Sequence, residues 1–428
     1  MAAKLQRVAP EVLLARVHQP VDPETLATAS AIVEDVRTGG IDALRSHAER
    51  LGDAAVGAPL LADRAELEAA LRGLAPDDRA LLERTATRIR AFAKAQRACL
   101  VPLDVEVPGG RAGHRWLPAA SAGAYAPGGR YPLPSSVLMT VIPAKVAGVA
   151  EVWVASPRPA PVTLAAAALA GADGLLKVGG AQAIAALALG TLTPAADVIV
   201  GPGNRFVTAA KKHLVGEVGI DGLAGPSELL VVADAHADPG IVAADLLAQA
   251  EHDVDAAPLL VTTCSQLADA VDAELERQLA SLPTAEVARL AVARNGRATI
   301  VNDLEAAARV ADALAPEHLE LLVADPHELA ALAERVRNYG GLFIGPQSAE
   351  VFGDYGVGPN HTLPTGGSAR YQAGLSVATF LRASTFLELD DPTSIAADAA
   401  RLARLEGLEA HARAAERAAP EGSRMIGG

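Results

Sequence analysis

The hydrophobic pattern between residues 121 and 379 alternates short apolar runs with longer segments whose apolar residues recur at helical spacing. Strand, helix and strand repeated at this spacing predict βαβ crossovers and parallel sheets. The runs fall into two groups, so we expect two α/β domains, at residues 121–224 and 225–379. The runs that predict strands are AGAYAP, EVWVAS, GLLKVG and DVIVGPG in the first group, and SELLVVAD, PLLVTTC, RATIVND, HLELLV and GLFIGP in the second.

The segments on either side of these domains show helical periodicity. Residues 1–120 predict a helical scaffold that packs with the second α/β domain. Its clearest helical patterns lie at residues 22–38, 64–71 and 77–95. Residues 380–428 predict a helical extension that includes residues 392–416, and a terminal helix of this kind often docks on another subunit.

Composition narrows the class of protein. Half of the 428 residues are apolar but only 3% are aromatic, so the cores must be built from Ala, Val, Leu and Ile, which suits helices packed on parallel sheets. The 37 Lys and Arg against 51 Asp and Glu give a formal net charge of -14, spread along the chain. This balance argues against nucleic acid as the main partner.

Several features predict a soluble, cytoplasmic protein. Cys99 and Cys264 lie far apart and in no metal-type spacing, so we expect neither a disulfide framework nor a cysteine-rich zinc site, and a reducing compartment is the default. The N-terminal residues do not resemble a secretory signal. The most apolar window, residues 183–200, is interrupted by Pro194 and Asp197 and does not suit a membrane span.

Glycine clusters occur where predicted strands lead into helices. They are Pro127-Gly128-Gly129, Gly179-Gly180, and Gly201-Pro202-Gly203 just before Asn204. Ligands bind at the carboxyl edge of a parallel sheet, and glycine lets backbone amides approach a phosphate. No GxGxxG fingerprint is present, so ordinary tight turns remain an alternative. Which turn would hold a phosphate stays open.

Two pairs of polar residues could carry chemistry. Gln249 and His252 lie three apart on a predicted helix and share a face, with Asp245 preceding them at helical spacing, so an amide oxygen and an imidazole could form half of a metal site. Glu317 and His318 enter a predicted strand, where a carboxylate and an imidazole can divide acid and base work. The alternatives are a solvated helical histidine and surface polar residues that open a strand.

The run from residue 353 to residue 367 is irregular and rich in glycine, which is typical of a functional loop, although a flexible surface loop is the alternative. Asp354 and His361 are its candidate metal ligands. Glu406 and His411, on the predicted C-terminal helix, would by themselves be solvated residues.

Taken together, the chain resembles the histidinol dehydrogenase family over about residues 12–418. The motifs that carry the resemblance, in chain order, are GGAQAIAALALG, GPGNRFVTAAKK, AGPSELLV, LLAQAEHD, APEHLELL and GDYGVGPNHTLPTGGSARY. The resemblance implies an α/β fold with two incomplete Rossmann-like domains of the aldehyde dehydrogenase type. It also implies a homodimer in which the C-terminal helix of one subunit completes the active site of the other.

The resemblance further implies the reaction and its cofactors. L-Histidinol would be oxidised to L-histidinaldehyde and then to L-histidine, with two NAD consumed per turnover and one zinc ion per site that positions the substrate. The zinc ligands would be Gln249, His252, Asp354 and, from the other subunit, His411. Glu317 and His318 would be the catalytic acid-base pair. Two groups would contact the ligands: Tyr125, Gln182 and Asn204 for NAD, and Ser227 and Glu406, together with Gln249, His252, His318, Asp354 and His411, for the substrate.

Three alternatives remain open. A member of the same family could oxidise a different small alcohol, although Glu406 suits a cationic substrate group such as that of histidinol. A zinc hydrolase could use Glu317 as its general base, but this leaves the glycine turns and Asn204 unexplained. The metal could also stabilise a scaffold that has no catalytic role.

Overall fold

The computed structural model describes residues 4–15, 21–128 and 131–419. The chain forms two compact units: a larger unit of residues 1–95 and 119–380, and a smaller unit of residues 96–118 and 381–428. The strands are β1 (Gln6–Arg7), β2 (Leu61–Ala62), β3 (Leu103–Val107), β4 (Gly110–Pro118), β5 (Ser121–Tyr125), β6 (Glu151–Ala155), β7 (Gly174–Leu176), β8 (Val198–Val200), β9 (Gly219–Ile220), β10 (Glu228–Ala233), β11 (Ala257–Thr262), β12 (Arg297–Ile300), β13 (His318–Leu322), β14 (Gly341–Ile344) and β15 (Leu381–Leu389).

Helices separate most of these strands. They are α1 (Pro10–Leu14), α2 (Pro23–Arg50), α3 (Arg64–Gly73), α4 (Pro76–Ala98), α5 (Pro134–Ala147), α6 (Pro161–Ala170), α7 (Gly180–Leu189), α8 (Arg205–Leu214), α9 (Pro239–Ala250), α10 (Ser265–Leu279), α11 (Ala285–Asn295), α12 (Leu304–Leu314), α13 (Pro326–Arg335), α14 (Val351–Asp354), α15 (Thr393–Leu405) and α16 (Glu409–Ala418). Among the described residues, no helix is long and apolar enough to cross a membrane.

The first sheet of the larger unit has the strand order β2-β7-β6-β5-β8-β9. All of its pairs are parallel except the edge pair of β2 and β7. The four strands predicted in the first group are confirmed as β5 to β8, and α5, α6 and α7 form the predicted crossovers. These strands are short and almost wholly buried because helices cover both faces, which explains their continuous apolar sequence.

The second sheet has the strand order β1-β12-β11-β10-β13-β14 and is parallel throughout. Its five predicted strands are confirmed as β10 to β14. The central strand β10 pairs with β11 on one side and with β13 on the other, and Leu229 lies opposite His318 in this register. The register therefore places the start of β13 beside the start of β10.

The N-terminal region corrects one expectation. We expected it to pack with the second α/β domain, but α2 packs on α7 and α8, and α3 packs on α6, so both cover the first sheet. The reason is the apolar stripe of α2, in which Val33 and Leu44 share a core with Ile184 and Leu187 of α7. Of the described N-terminal elements, β1 pairs with β12 and α1 packs on α12 of the second sheet's layer.

The smaller unit corrects a second expectation. Where we predicted only helices, it contains an antiparallel sheet with the order β15-β4-β3. The predicted C-terminal helix at residues 392–416 is two helices, α15 and α16, separated by a break at Gly407, whose φ is +77°. This left-handed backbone conformation ends α15. Glycine adopts it without steric cost, which explains why the break falls at residue 407.

Candidate active site

The amino edge of the second sheet brings several of the predicted residues together. Ser227 immediately precedes β10, and Glu317 and His318 stand at the beginning of β13. Helix α9 connects the parallel strands β10 and β11, so its carboxyl end returns to the same edge. Gln249 in its last turn and the following His252 therefore lie at the edge where Glu317 and His318 begin their strand.

The pair Glu317 and His318 is buried. The His318 Nδ1 atom lies 3.2 Å from the carbonyl oxygen of Glu228, so Nδ1 carries the hydrogen and donates it, and Nε2 is left as the basic nitrogen. Burial lowers the pKa of His318 to about 3, so its imidazole is neutral at neutral pH. Glu317 Oε2 accepts a hydrogen bond from Glu228 N at 2.9 Å, and burial raises the pKa of Glu317 well above its usual value.

The second group centres on His252 and Asp354. His252 Nε2 lies 3.7 Å from Asp354 Oδ2. One possible ligand atom from each of His252, Glu350 and Asp354 lies within 4.8 Å of the other two. Gln249 is fully buried, and neither its amide nitrogen nor its oxygen has a hydrogen-bond partner among the described residues. A buried amide without hydrogen-bond partners costs folding free energy unless a ligand binds to it. The imidazole, amide and carboxylate groups at this position are ligands that suit zinc.

The structure changes two details of the α9 prediction. His252 lies beyond the end of the helix, and a turn in which His252 N approaches Gln249 O at 3.4 Å keeps the three-residue spacing. Asp245, which precedes Gln249 at helical spacing, is buried beside Glu320. Burial raises the pKa of Glu320 to about 9 and that of Asp245 to about 6. Glu320 is therefore protonated at neutral pH.

Glu350 is a buried residue at this edge that was not predicted from the sequence. It is 1% exposed, and its Oε1 lies 3.5 Å from His318 Nε2. Burial raises its pKa to about 8, with the negative charge of Asp354 adding to the effect. The signal was present, because Glu350 and Asp354 are four residues apart and the short helix α14 places them on one face. Glu350 lies just before the irregular run of residues 353–367, so the spacing that links it to Asp354 crosses the boundary of that run.

The loop after α14 supports this group. His361 Nδ1 donates to the Asp354 carbonyl oxygen at 3.1 Å, and burial lowers the pKa of His361 to about 4. Its Nε2 has no hydrogen-bond partner among the described residues. Asn360 Nδ2 donates to the carbonyl oxygen of Met139 in α5 at 2.6 Å, which ties the loop to the first sheet's helices. His361 thus holds the loop backbone at Asp354.

The residues expected to contact NAD lie at the carboxyl edge of the first sheet. Tyr125 ends β5 and Gln182 lies in the first turn of α7, and both side chains are buried. Asn204 is the N-cap of α8, with its Oδ1 accepting from Phe206 N at 3.0 Å. The three therefore stand at the strand-to-helix turns that follow β5, β7 and β8. Gly129, in the first glycine cluster, lies outside the described residues.

The family of the chain is settled by comparison with known proteins. A family model described as histidinol dehydrogenase matches residues 16–418. The chain belongs to the histidinol dehydrogenase family. A histidinol dehydrogenase of Thermus thermophilus is 47% identical over 399 residues, which cover 92% of this chain and 94% of the relative. That of Parasynechococcus marenigrum is 43% identical over 421 residues, which cover 96% and 93%.

The fold agrees with the sequence match. The crystal structure of a histidinol dehydrogenase from Elizabethkingia anophelis superposes with a TM-score of 0.90 at 31% identity, covering 97% of this chain and 98% of that one. The predicted α/β fold with Rossmann-like parallel sheets is confirmed. Histidinol dehydrogenases catalyse the final NAD-dependent oxidation steps of histidine biosynthesis, and this chain is an oxidoreductase of that family.

Two residues expected in a histidinol dehydrogenase site lie in the smaller unit. Glu406 is the C-cap of α15 and His411 lies in the first turn of α16, and both are exposed there. Their participation in the site stays a prediction. In the larger unit, Ser227 is half-buried, and its carbonyl oxygen accepts from Ala257 N at 2.9 Å, which fixes the backbone at the start of β10.

Proposed function

We propose that the chain oxidises L-histidinol to L-histidinaldehyde and then to L-histidine, with two molecules of NAD accepting one hydride each. The observation that carries the proposal is the placement of His318. Its Nδ1 is anchored to a backbone carbonyl, and its free Nε2 lies 3.5 Å from Glu350, a member of the group that also contains His252 and Asp354. A neutral base is thus placed next to a set of metal-type donors.

The donors at this edge fit one zinc ion. Gln249, His252 and Asp354 would hold it, with His411 of a second subunit as the fourth ligand. The orphaned amide of Gln249 supports this assignment, because coordination of its oxygen would offset the cost of burying it. When bound, the ion would orient the imidazole and amino nitrogens of histidinol and so position the carbinol carbon.

In the first oxidation, His318 Nε2 accepts the hydroxyl proton of the alcohol while the hydride leaves the carbinol carbon for NAD. The products are the aldehyde, NADH and one proton. A base whose pKa is low remains unprotonated at neutral pH, so it is ready to accept this proton, and the bond from Nδ1 to the Glu228 carbonyl stabilises the imidazolium that forms. Ser227 and Glu406 would contact the substrate.

In the second oxidation, Glu317 accepts a proton from the water that adds to the aldehyde. The aldehyde oxygen takes up the proton that His318 accepted in the first oxidation, which forms the hydrate and returns His318 to its neutral form. The hydrate then loses one hydroxyl proton to His318 and its hydride to the second NAD, which gives the carboxylic acid, and release of the remaining acidic proton to solvent gives the carboxylate. Burial raises the pKa of Glu317, so its carboxylate binds a proton more tightly than an exposed one does and is a stronger base. Its bond from Glu228 N fixes the direction of one oxygen.

The deciding experiment measures NADH produced per histidinol consumed by the purified protein, with and without a chelator. We expect two NADH per histidinol and loss of activity when the metal is removed. If the protein reduced NAD with another small alcohol and ignored histidinol, the substrate assignment would be wrong. Zinc-dependent hydrolysis of an ester or amide without any NADH would favour a hydrolase instead.

The shared site has a separate test. Inactive His252→Ala subunits mixed with inactive His411→Ala subunits should regain part of the activity, because one site of each hybrid dimer would be intact. Subunit exchange is verified by native mass spectrometry. Exchange without any recovered activity would contradict a site that is shared between two subunits. The homodimer and the cytoplasmic location remain predictions from the sequence.

A further inference from the structure

The amino end of α7 is where a Rossmann-like domain would most readily hold an anion, because its unpaired N–H groups and helix dipole favour negative charge. In this chain, side chains of the protein itself occupy the position that an anion would take. Asp53, in the loop between α2 and β2, accepts a hydrogen bond from Gly179 N through Oδ2 at 2.9 Å. The next amide, Gly180 N, donates to the hydroxyl oxygen of Tyr125 at 3.1 Å.

The turn before α8 is closed in the same manner. Gly201 N donates to Asp221 Oδ2 at 2.6 Å, and the other oxygen of Asp221 accepts from Lys211 Nζ at 2.7 Å. The Lys211 and Asp221 side chains are only 3% and 7% exposed. Asn204 Oδ1 accepts hydrogen bonds from two further backbone amides of α8, Phe206 N and Val207 N. At both turns, side-chain oxygens of the protein hold amides that a pyrophosphate would need.

Packing explains the glycines of these turns without a phosphate. A Cβ at Gly179 would lie 2.7 Å from the side chain of Pro157. At Gly201, φ is +109° and a Cβ would lie 2.1 Å from the carbonyl oxygen of Tyr125. Larger residues would separate neighbouring turns at this edge of the sheet, so the glycines serve close backbone packing.

Asp53 also determines the orientation of Gln182. The same Oδ2 atom accepts from Gln182 Nε2 at 3.0 Å. Because a carboxylate only accepts, the amide nitrogen must face Asp53 and the carbonyl oxygen must face away. Gln182 is 2% exposed, and its Oε1 has no hydrogen-bond partner among the described residues. A buried acceptor without a donor indicates that a ligand supplies one.

We propose that Asp53 is a positioning residue of the dinucleotide site, which fills the anion position of α7 and fixes Gln182 with its carbonyl oxygen toward the ligand. Gln182 then recognises a hydroxyl or amide N–H of NAD, and the pyrophosphate is not cradled by the amides of α7. The proposal rests on the proposed function, since it takes NAD as the ligand of Gln182. Burial raises the pKa of Tyr125 to about 12, with the charge of Asp53 contributing, so the tyrosine hydroxyl beside this turn stays neutral.

The test is Asp53→Asn in the full-length enzyme. An asparagine side chain is uncharged, so its oxygen accepts weaker hydrogen bonds from Gly179 N and Gln182 Nε2 than the carboxylate does. Gln182 therefore loses its fixed orientation. The KM for NAD and the dissociation constant of NAD, measured by calorimetry, should both rise roughly fivefold to twentyfold, the range expected for one weakened charge-assisted hydrogen bond. The KM for histidinol and kcat should stay within about twofold of the wild type.

Asp63→Asn is the matched control. Asp63 also accepts from a backbone amide, Glu66 N, at 2.9 Å, as the N-cap of α3. Asparagine caps helices as well as aspartate does, so this variant should bind NAD like the wild type. If the α7 amides held the pyrophosphate, Asp53→Asn would bind NAD as tightly as the wild type or more tightly. That result would overturn the proposal.

Hydrogen exchange of the wild type gives a test that needs no variant. Peptides that cover residues 178–182 should exchange slowly in the free enzyme, because Asp53 and Tyr125 already hold the amides. Addition of NAD should change this rate by less than about threefold. Fast exchange that NAD slows strongly would show that the cofactor supplies the acceptor, and would refute the proposal. Because NAD binding is measured directly, a wild type that binds NAD but does not oxidise histidinol would overturn only the proposed function.

Discussion

Replacement of Gln249 by methionine separates the stability of the site from its use. The side chain of Gln249 is fully buried, and both of its polar atoms lack a partner among the described residues. Each such atom costs about 1–3 kcal/mol of folding stability. Methionine has nearly the same length and no strong hydrogen-bonding atom. The Gln249→Met variant should therefore be more stable than the wild type when no metal is bound.

The size of the effect follows from these costs. After an allowance for relaxation around the new side chain, a gain of about 2 kcal/mol remains, which corresponds to roughly 3 °C in Tm for a unit of this size. Zinc at about 1,000 times its dissociation constant should stabilise the wild type by about 4 kcal/mol, or roughly 6 °C. The variant lacks one ligand and should gain much less. Zinc should therefore reverse the order of the two proteins.

The assay is differential scanning calorimetry of chelator-treated protein, with and without added zinc. Gln278→Met is the matched control, because Gln278 Nε2 already donates to the Gly240 carbonyl oxygen at 2.9 Å. Its loss should lower stability by about 1 kcal/mol in both conditions. A metal-free Gln249→Met variant that melts below the metal-free wild type would refute the argument. Equal stabilisation of wild type and variant by zinc would remove Gln249 from the ligand set.

Three further predictions concern the buried acids and the base. The pKa of Glu320 is raised in the folded state, so protonated Glu320 stabilises the fold at low pH, and this contribution is lost as the pH rises from about 5 towards 9. The free energy of unfolding of Glu320→Gln should exceed that of the wild type by on the order of 2 kcal/mol at pH 8 and by almost nothing near pH 5. Thermal melts across this pH range measure the difference. His318→Gln should lower kcat by at least roughly a hundredfold while bound zinc, measured by mass spectrometry, stays at the wild-type level, because the general base is lost but no metal ligand is. Glu350→Gln should lower kcat roughly tenfold with little change in the KM for histidinol, because an amide replaces the carboxyl 3.5 Å from His318 Nε2 and cannot exchange a proton with it. Steady-state kinetics measure the two parameters separately.

Each of these has an outcome that would count against it. An exposed glutamate on α13, Glu334, serves as the control for Glu320, and the argument fails if Glu334→Gln shows the same gain at pH 8. Retention of more than about a tenth of kcat in His318→Gln would show that another group is the base. A Glu350→Gln variant that loses zinc would place Glu350 among the ligands and not beside the base.

Much of the fold was predictable because its signal is local. Each buried parallel strand is a short apolar run bounded by turn residues, and the nine runs from AGAYAP to GLFIGP all form strands. The strand β3 was missed although its signal was equally local. Leu103, Val105 and Val107 alternate with Asp104 and Glu106 before a Pro-Gly-Gly turn. Helical periodicity in the preceding residues was extended over a segment whose period is two.

Some residues of the candidate site were predictable from the sequence and others were not. The sequence predicts Gln249, His252, Glu317, His318 and Asp354 as site residues, since each lies in a distinctive motif, and the structure places them at one edge of the second sheet. It did not identify Glu350, which a short turn of helix at the boundary of the irregular run places on one face with Asp354. It placed Asp245 on one helical face with Gln249 and His252 but did not show that this face is buried, because periodicity separates the two faces of a helix and does not show that Glu320 covers the second one.

The sequence by itself therefore determined the buried parallel strands, the family and the residues with reactive groups, because these depend on residue types and their spacing. Only the tertiary structure decided which groups meet. The parallel register of β10 and β13 places the carbonyl of Glu228 against His318 Nδ1 and so selects the basic nitrogen. The packing of the loop after α2 brings Asp53 to α7, far away in the chain. Such contacts arise from long-range packing, which no local pattern encodes.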